Sequence, residues 1–496
     1  MNLPRRLKRC SAKISSRKSR RKGGRFIPGR LSISTLFEQG SILKNYSILS
    51  LKLATAATAG LLLWLTLPAH GQIAVQQQGY IPFTDAPIFY RSNDLHDPVA
   101  VLQQRLEKGE VTLDYEPKNG YLRSVLKLLD IPVSSQTLVF SKTSFQYKKV
   151  SPETPRALFF NDDVYVGQVH DGKALEFVSF DPMQGAIFYL LDERKTDHPK
   201  LQRAELDCTQ CHIAASTRNV PGVFLRSVYT EPVGTLAAKR PQYITGQQSP
   251  LSERWGGWYV TGSAGSQQHL GNLVAGNASD ADQPVPDLSK AFDASEYLSP
   301  HSDIVAHLVL AHQTQMHNLI TQTNYQARIA AYDEAAKNKA AGLPVDTPLS
   351  EAARKKYEVP AEALVRYLLF ANEAPLTSPV KGDSGFAAEF EARGIRDPQG
   401  RSLRDFDLQT RIFRYPCSYL IYSDAFDSLP RPAKDYVYRR LLDVLTGHDQ
   451  GPDFAALTAQ DRKAVLEILL ATKPGMQEEW KQYSAQQDKQ YKTQTK

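Results

Sequence analysis

The sequence predicts an α+β protein with an antiparallel β-rich N-terminal half, a cysteine-containing central segment and an α-helical C-terminal half. Short apolar and aromatic runs between turn residues fill positions 157–190, which is typical of paired strands. From position 299 onwards, apolar residues recur at helical spacing between proline, glycine and capping residues. We divide the chain into a leader (1–71), a mixed, mainly antiparallel β domain (72–205), the central segment (206–290) and a helical domain (291–496).

The leader has the composition of a signal peptide with a long basic region. Its first 52 residues contain fourteen Lys and Arg and one acid, Glu38. An apolar run over 53–67 follows, and Ala69 and Gly71 place small residues where a signal peptidase cleaves. The run is shorter than the roughly 20 residues that span a bilayer. We therefore expect cleavage near Gln72, export to the periplasm and no membrane span in the mature chain.

The positive charge of the chain comes from this leader. The whole sequence has 60 basic and 52 acidic residues, a formal net charge of +8. Without the leader, 46 basic and 51 acidic residues remain, so the mature chain has a net charge of −5. The basic balance is no indication of nucleic-acid binding, and we expect no nucleic-acid partner.

The N-terminal half begins with helices and continues with strands. Asp97 as N-cap, Pro98 in the first turn and Gly109 past the end predict a helix over 97–108, and a second is predicted over 121–129. Four runs then predict an antiparallel meander that ends just before the cysteine motif. The runs are Ala157–Phe160, Val164–Val166, Leu175–Phe180 and Ala186–Leu190.

The cysteine motif is Cys208-Thr209-Gln210-Cys211-His212. In C-x-x-C-H, two thiols one turn apart can add to the two vinyl groups of a haem while the adjacent imidazole binds the iron. The chain has four cysteines, so this spacing followed by histidine seldom arises by chance. The motif predicts one covalent haem c, attached to Cys208 and Cys211 and bound by His212.

Zinc is the main alternative for the same cysteines. A zinc site needs two further ligands, and the other cysteines are Cys10, in the leader, and Cys417, which we interpret as a small buried hydrophobe. A redox dithiol or a disulfide leaves the histidine unexplained. Through these five residues the chain resembles the c-type cytochromes, which implies haem attachment outside the inner membrane. A sheet that leads into C-x-x-C-H is similar to the sheet-based haem proteins of the cytochrome P460 kind.

The central segment supplies further candidates for haem binding. Trp255 and Trp258 belong to an aromatic run that can form a wall of the haem pocket. Arg254, Arg226 or Arg218 is expected to pair with the haem propionates, because guanidinium matches carboxylate geometry. The alternative is that the aromatic run forms a hairpin packed on the sheet. Residues 274–289 predict a linker.

The C-terminal half is predicted to be helical. Ser299 and Pro300 open a long helix that is predicted to continue to about Ala340. Further helices are predicted over 361–371, 386–393, 403–413, 418–426, 433–446 and 462–471. The polar tail from Gln477 is expected to fray.

The distal ligand of the haem decides between two roles. With His or Met there, the haem carries electrons, whereas an open position lets it bind and transform small molecules. His312 interrupts the apolar stripe of the long helix and is the first candidate. His269, Met316 and an open face are the alternatives.

We predict an exported monohaem c-type cytochrome that exchanges electrons with a redox partner protein. The alternatives are a haem c enzyme acting on a peroxide or a small nitrogen oxide, and a haem-based sensor, both with an open distal face. The 425 residues after the leader exceed what one haem needs for burial. Against an enzyme, the sequence offers no assignable acid–base pair beside the haem and a single C-x-x-C-H motif.

Overall fold

The structure is a computed structural model that describes residues 81–204, 206–274, 283–284, 288–344 and 346–494. The predicted leader, with Cys10 and the cleavage site, lies outside the described residues, and so does most of the predicted linker.

An antiparallel sheet lies at the centre of the described part of the chain. The strands are Thr137–Val139 (β1), Arg156–Phe160 (β2), Val164–Gln168 (β3), Ala174–Asp181 (β4), Gly185–Asp192 (β5), Leu201–Arg203 (β6), Leu225–Val228 (β7), Gln242–Thr245 (β8), Trp258–Tyr259 (β9), Leu273–Val274 (β10) and Gln283–Pro284 (β11). Within the described residues, seven of them pair in the order β6-β5-β4-β3-β2-β1-β9. β7 pairs with β8 and β10 with β11. The predicted meander is therefore confirmed.

Helices precede and follow the sheet, so the predicted α+β class is confirmed. Asp97 caps the first helix as predicted, its Oδ1 accepting from the N–H groups of Val99 and Ala100. The helices are Pro98–Glu107 (α1), Leu122–Leu128 (α2), Leu206–His212 (α3), Ile304–Ala340 (α4), Glu351–Leu368 (α5), Phe386–Ala392 (α6), Arg431–Leu445 (α7), Ala459–Thr472 (α8) and Met476–Gln494 (α9). Single turns lie at Leu288–Ala291, Tyr419–Tyr422 and Asp424–Asp427. Among the described helices, none is long and apolar enough to cross a lipid bilayer.

The two faces of the sheet pack against different elements, because strand side chains alternate between faces. Phe159, Leu175 and Ile187 belong to the core that contains α1 and α2. Phe180 and Phe188 belong to the core that contains α4 and the later helices. The sheet is thus buried between helices on both sides.

The helix α4 is the long helix that the sequence predicts, but it begins at Ile304 rather than at Ser299. Asp303 is its N-cap, and its Oδ1 accepts from the N–H groups of Val305 and Ala306. The preceding residues pair with the sheet edge instead: the Ser302 hydroxyl donates to the Tyr259 carbonyl at 2.6 Å. From residue 304 to residue 325 every side chain of α4 is buried.

Three predictions in the C-terminal half are wrong. Residues 418–426 form two single turns, Tyr419–Tyr422 and Asp424–Asp427, instead of one helix. Residues 403–413 do not form a helix, because the Asp407 carboxylate accepts from the backbone N–H groups of Gln409, Thr410 and Arg411 and holds a turn. The polar tail forms the helix α9, because Tyr483 is buried and its hydroxyl donates to the Asp443 carboxylate of α7 at 2.9 Å.

Candidate haem-attachment site

A cavity of about 280 Å³ lies between the sheet and the cysteine motif. This volume is close to the lower end of the roughly 300–1,000 Å³ that ligand pockets occupy. Its floor is one face of the sheet, where Leu158, Gly167, Glu176 and Leu190 form one cross-strand row and Tyr165, Val178 and Phe188 the next. Its walls come from α3, from the start of β7 and from Leu310 and Thr314 of α4.

The cysteine motif forms the short helix α3 directly after β6. The helical turn brings Cys208, Cys211 and His212 to the same cavity. Cys208 is half-buried and Cys211 is exposed, and the described residues contain no disulfide. Cys208, Cys211 and His212 therefore all line one cavity.

The His212 ring is held in one orientation. It packs between Phe188 and Phe224, with ring centroids 5.1 and 5.5 Å away. Its Nδ1 lies 2.9 Å from the Gly222 carbonyl oxygen, and because a carbonyl can only accept, Nδ1 carries the proton. Burial lowers the pKa of His212, so the ring is neutral at pH 7. The Nε2 atom makes no hydrogen bond within the described part of the chain, so its lone pair is available to a metal ion.

A charged pair lies on the cavity floor. Arg156 Nη2 is 2.5 Å from Glu176 Oε2, and the other Glu176 oxygen accepts from Ser144 and Gln146 at 2.9 Å. The buried Arg156 Nε has no hydrogen-bond partner in the described residues. A Cβ on Gly167 would come within 2.4 Å of Arg156 Nη2, so glycine makes room for the guanidinium. An unused N–H of arginine at a cavity suits a carboxylate such as a haem propionate.

The predicted aromatic wall and propionate partners lie elsewhere. Arg254 is buried and donates to the carbonyls of Ser249 and Gln247, and burial lowers its pKa to about 10. Trp255 and Trp258 pack around His307 and do not line the cavity. Trp258 belongs to the edge strand β9 of the sheet.

The other predicted arginines are also outside the cavity lining. Arg226 lies 5.4 Å over the ring of Phe224, which in turn packs on His212. Arg218 is mostly buried, and burial lowers its pKa. Of the three predicted arginines, Arg226 is therefore the one that we connect to the His212 ring, indirectly through Phe224.

The three candidate distal ligands are not brought to the cavity. His312 uses both ring nitrogens, Nδ1 at 2.6 Å from Gln247 Oε1 and Nε2 at 2.8 Å from Ser418 Oγ. Met316 is fully buried in the core, and His269 packs on Trp255 at 5.2 Å. Among the described residues that line the cavity, His212 is the one histidine and there is no methionine.

The zinc alternative needs two ligands besides Cys208 and Cys211. Over the described ranges, no group of three or more His, Cys, Asp or Glu side chains is placed to hold a metal ion. Cys417 is fully buried in the core with the helices, as expected for a small hydrophobe, and burial raises its pKa to about 12.

Sequence reasoning missed Arg156, Glu176 and Gly222 as parts of the site. A signal for Glu176 exists, because it is a carboxylate flanked by apolar residues in a strand and must find a partner on its face of the sheet. Gly222 follows a proline in a loop and carries no comparable signal.

The chain was compared with protein-family profiles, with curated proteins and with solved structures, and none of them matches.

Proposed function

We propose that this protein is an exported c-type cytochrome that binds one haem covalently through Cys208 and Cys211 and transfers electrons to or from a partner protein. One observation carries the proposal: His212 donates from Nδ1 to the Gly222 carbonyl, so Nε2 is left as a ligand in the cavity that both cysteines line. The fixed tautomer and ring orientation are what a metal-binding imidazole needs.

The cavity residues fit the chemistry of a haem. The apolar side chains of Leu158, Val178 and Phe188 suit the macrocycle, and Arg156 can pair with a propionate. Attachment adds each S–H across a vinyl C=C, which forms one C–S bond and one C–H bond with no leaving group. Haem, when bound, supplies one-electron redox chemistry, while the chain holds and orients it.

Covalent attachment tests the proposal. Full-length protein co-expressed with a c-type maturation system should keep the added mass of one haem after denaturation. Cys208→Ala with Cys211→Ala should lose it, whereas Cys417→Ala, the control for a described cysteine outside the cavity, should keep it. A wild-type protein that binds zinc and no haem would overturn the proposal.

Export belongs to the same proposal and is supported by the basic and apolar composition of the first 71 residues. The protein recovered from the periplasm should begin near Gln72 when its N-terminus is sequenced. An intact leader in the membrane fraction would instead indicate an anchored cytochrome.

A second candidate function is a haem enzyme or sensor with an open distal face. The observation that favours it is the lining of the cavity, in which the described residues offer no second histidine and no methionine. Optical spectra of the reduced protein with and without carbon monoxide separate the two. A high-spin protein that binds carbon monoxide supports the second candidate, and a low-spin protein that does not bind it supports electron transfer.

A further inference from the structure

We propose that Asn318 of α4 is a positioning residue for His212 and acts through the peptide group between Gly222 and Val223. The inference rests on the proposed function, since it concerns the imidazole that binds the haem iron. Asn318 is fully buried and lies on a helix that begins about 90 residues after the motif in the chain.

The Asn318 amide holds Val223 by two hydrogen bonds. Its Oδ1 accepts from the Val223 N–H at 3.0 Å, and its Nδ2 donates to the Val223 carbonyl at 2.7 Å. Both bonds are buried, where a hydrogen bond is electrostatically stronger than in water. The Asn318 side chain thus makes the two backbone hydrogen bonds that a neighbouring strand would otherwise make with Val223.

One peptide group connects Asn318 with His212. The Gly222 carbonyl, which accepts from His212 Nδ1 at 2.9 Å, and the Val223 N–H belong to the same planar unit. When Asn318 fixes the N–H, it fixes the direction of the carbonyl as well. The bonds form one chain from the imidazole through the peptide to the amide, and such chains polarise their members.

The loop is built for this contact. A Cβ on Gly222 would come within 2.1 Å of Asn318 Oδ1, so the amide can approach only because position 222 is glycine. The Gly222 N–H and the Thr217 hydroxyl both donate to the His212 carbonyl, at 3.0 and 3.2 Å. The end of α3 is therefore tied to the same loop that orients the ring.

Loss of the Asn318 amide should change the reduction potential of the haem iron through its ligand, the His212 imidazole. Without Asn318 the peptide can rotate, the bond from Nδ1 weakens and the imidazole becomes a poorer electron donor. A poorer donor stabilises the oxidised iron less. The reduction potential should therefore rise.

The test compares Asn318→Ala with Asn324→Ala in the haem-loaded protein. Asn324 is a buried asparagine on the same helix, and its Nδ2 donates to the Ser428 carbonyl instead. In a redox titration, Asn318→Ala should favour the reduced form about tenfold, a rise of about 59 mV for one electron. Asn324→Ala should match the wild type. Equal potentials for all three proteins would overturn the inference.

Two variants keep the test decisive. Asn318→Asp retains an acceptor for the Val223 N–H, so its potential should not rise; a rise equal to that of the alanine variant would contradict the inference. If Asn318→Ala yields no folded protein, Asn318→Ser and Asn324→Ser replace the pair, because serine has one oxygen in place of two amide atoms.

A double-mutant cycle tests the contact independently of the potential. Gly222→Ala should destabilise the protein, and Asn318→Ala should reduce that loss because it removes the atom that the new methyl group meets. Additive losses would contradict the contact. Haem content is measured first: a wild type without covalent haem refutes the proposed function, whereas a haem protein with unchanged potentials refutes only the role of Asn318.

Discussion

At the scale of single residues, His212 and His312 differ in how many of their ring nitrogens are hydrogen-bonded. Both rings are neutral because burial lowers their pKa, that of His312 to about 3. His212 has one ring nitrogen bonded, whereas His312 has both bonded and stacks on Phe370 at 4.5 Å. The arrangement at His312 is that of a structural histidine.

Replacing His312 by alanine should therefore destabilise the protein without changing the haem. The loss of packing and of two buried hydrogen bonds should cost about 2–4 kcal/mol in the free energy of unfolding, measured by chemical denaturation. The spin state in the optical spectrum should stay that of the wild type. His269→Ala and Met316→Ala serve as comparisons, and a change to high spin in one of the three would identify that residue as the ligand.

Glu176→Gln should lower the free energy of unfolding and raise the reduction potential of the proposed haem. The pair with Arg156 is mostly buried, with 20% and 13% of the side chains exposed, so loss of the carboxylate should cost about 1–3 kcal/mol. The uncompensated guanidinium on the cavity floor should also raise the reduction potential.

The control is Glu362→Gln, in a pair with Arg440 of similar exposure that does not line the cavity. It should keep the potential and lose less stability, because Arg440 retains Asp443 and Asp449 as partners. A reduction potential that responds equally to both variants would contradict the placement of Arg156 at the haem.

At the scale of elements, α4 joins the site to the rest of the molecule. It supplies Leu310 and Thr314 to the cavity wall, Asn318 to the loop behind His212 and three buried histidines to the core. One of them, His317, stacks on Phe180 at 3.8 Å, and its Nε2 donates to the Asp162 carbonyl.

Acid should weaken the packing of α4 through His317. Burial lowers the pKa of His317 from 6.5 to about 4. The unfolded chain therefore binds a proton below pH 6.5 and the folded chain only below about pH 4, so the stabilising contribution is lost as the pH falls through this window. The slope is at most about 1.4 kcal/mol per pH unit for one proton.

The measurement is the free energy of unfolding from pH 7 to pH 4 for the wild type and for His317→Gln. The free energy of unfolding of the variant should decrease less steeply with falling pH, by up to the slope that one proton contributes, about 1.4 kcal/mol per pH unit. Thr323→Val, which removes a buried hydroxyl from the same helix but no titrating group, should keep the wild-type pH dependence. Identical curves for wild type and His317→Gln would show that His317 does not titrate in this window.

The elements differ in how far they could be predicted from sequence. The cap at Asp97 and the strands of the meander could be predicted because their signals are local. The start of α4 could not be predicted, because Ser302 hydrogen-bonds to the edge strand of the sheet and does not join the helix. The motif identified its own three residues, but Arg156 and Glu176 meet only through the register of β2, β3 and β4. Trp255 and Trp258 are predicted for the pocket but lie in the core, because an aromatic run suits a core as well as a pocket.

At the scale of the whole molecule, the sheet and the helical half share one core. Phe160, Phe180 and Phe188 of the sheet belong to the same buried cluster as residues of α4, α5, α7 and α8. Removal of the helical half would expose this face of the sheet to water. The two halves are therefore expected to depend on each other for stability.

Full-length protein should accordingly lose its sheet and helix signals together on heating, in a single transition. A chain truncated after residue 290 should show no cooperative transition and should be digested rapidly by protease. Two separate transitions in the full-length protein, or a protease-resistant truncated chain, would show that the halves fold independently.

The wall that α4 adds to the cavity lies far along the chain from the cysteine motif. Leu310 follows Cys208 by 102 positions. Synthesis proceeds from the N-terminus, so the motif and the strands β1 to β6 emerge while the cavity still lacks one wall. Under the proposed export and haem attachment, the two thiols would therefore react in an open half-site, and α4 would close that site afterwards.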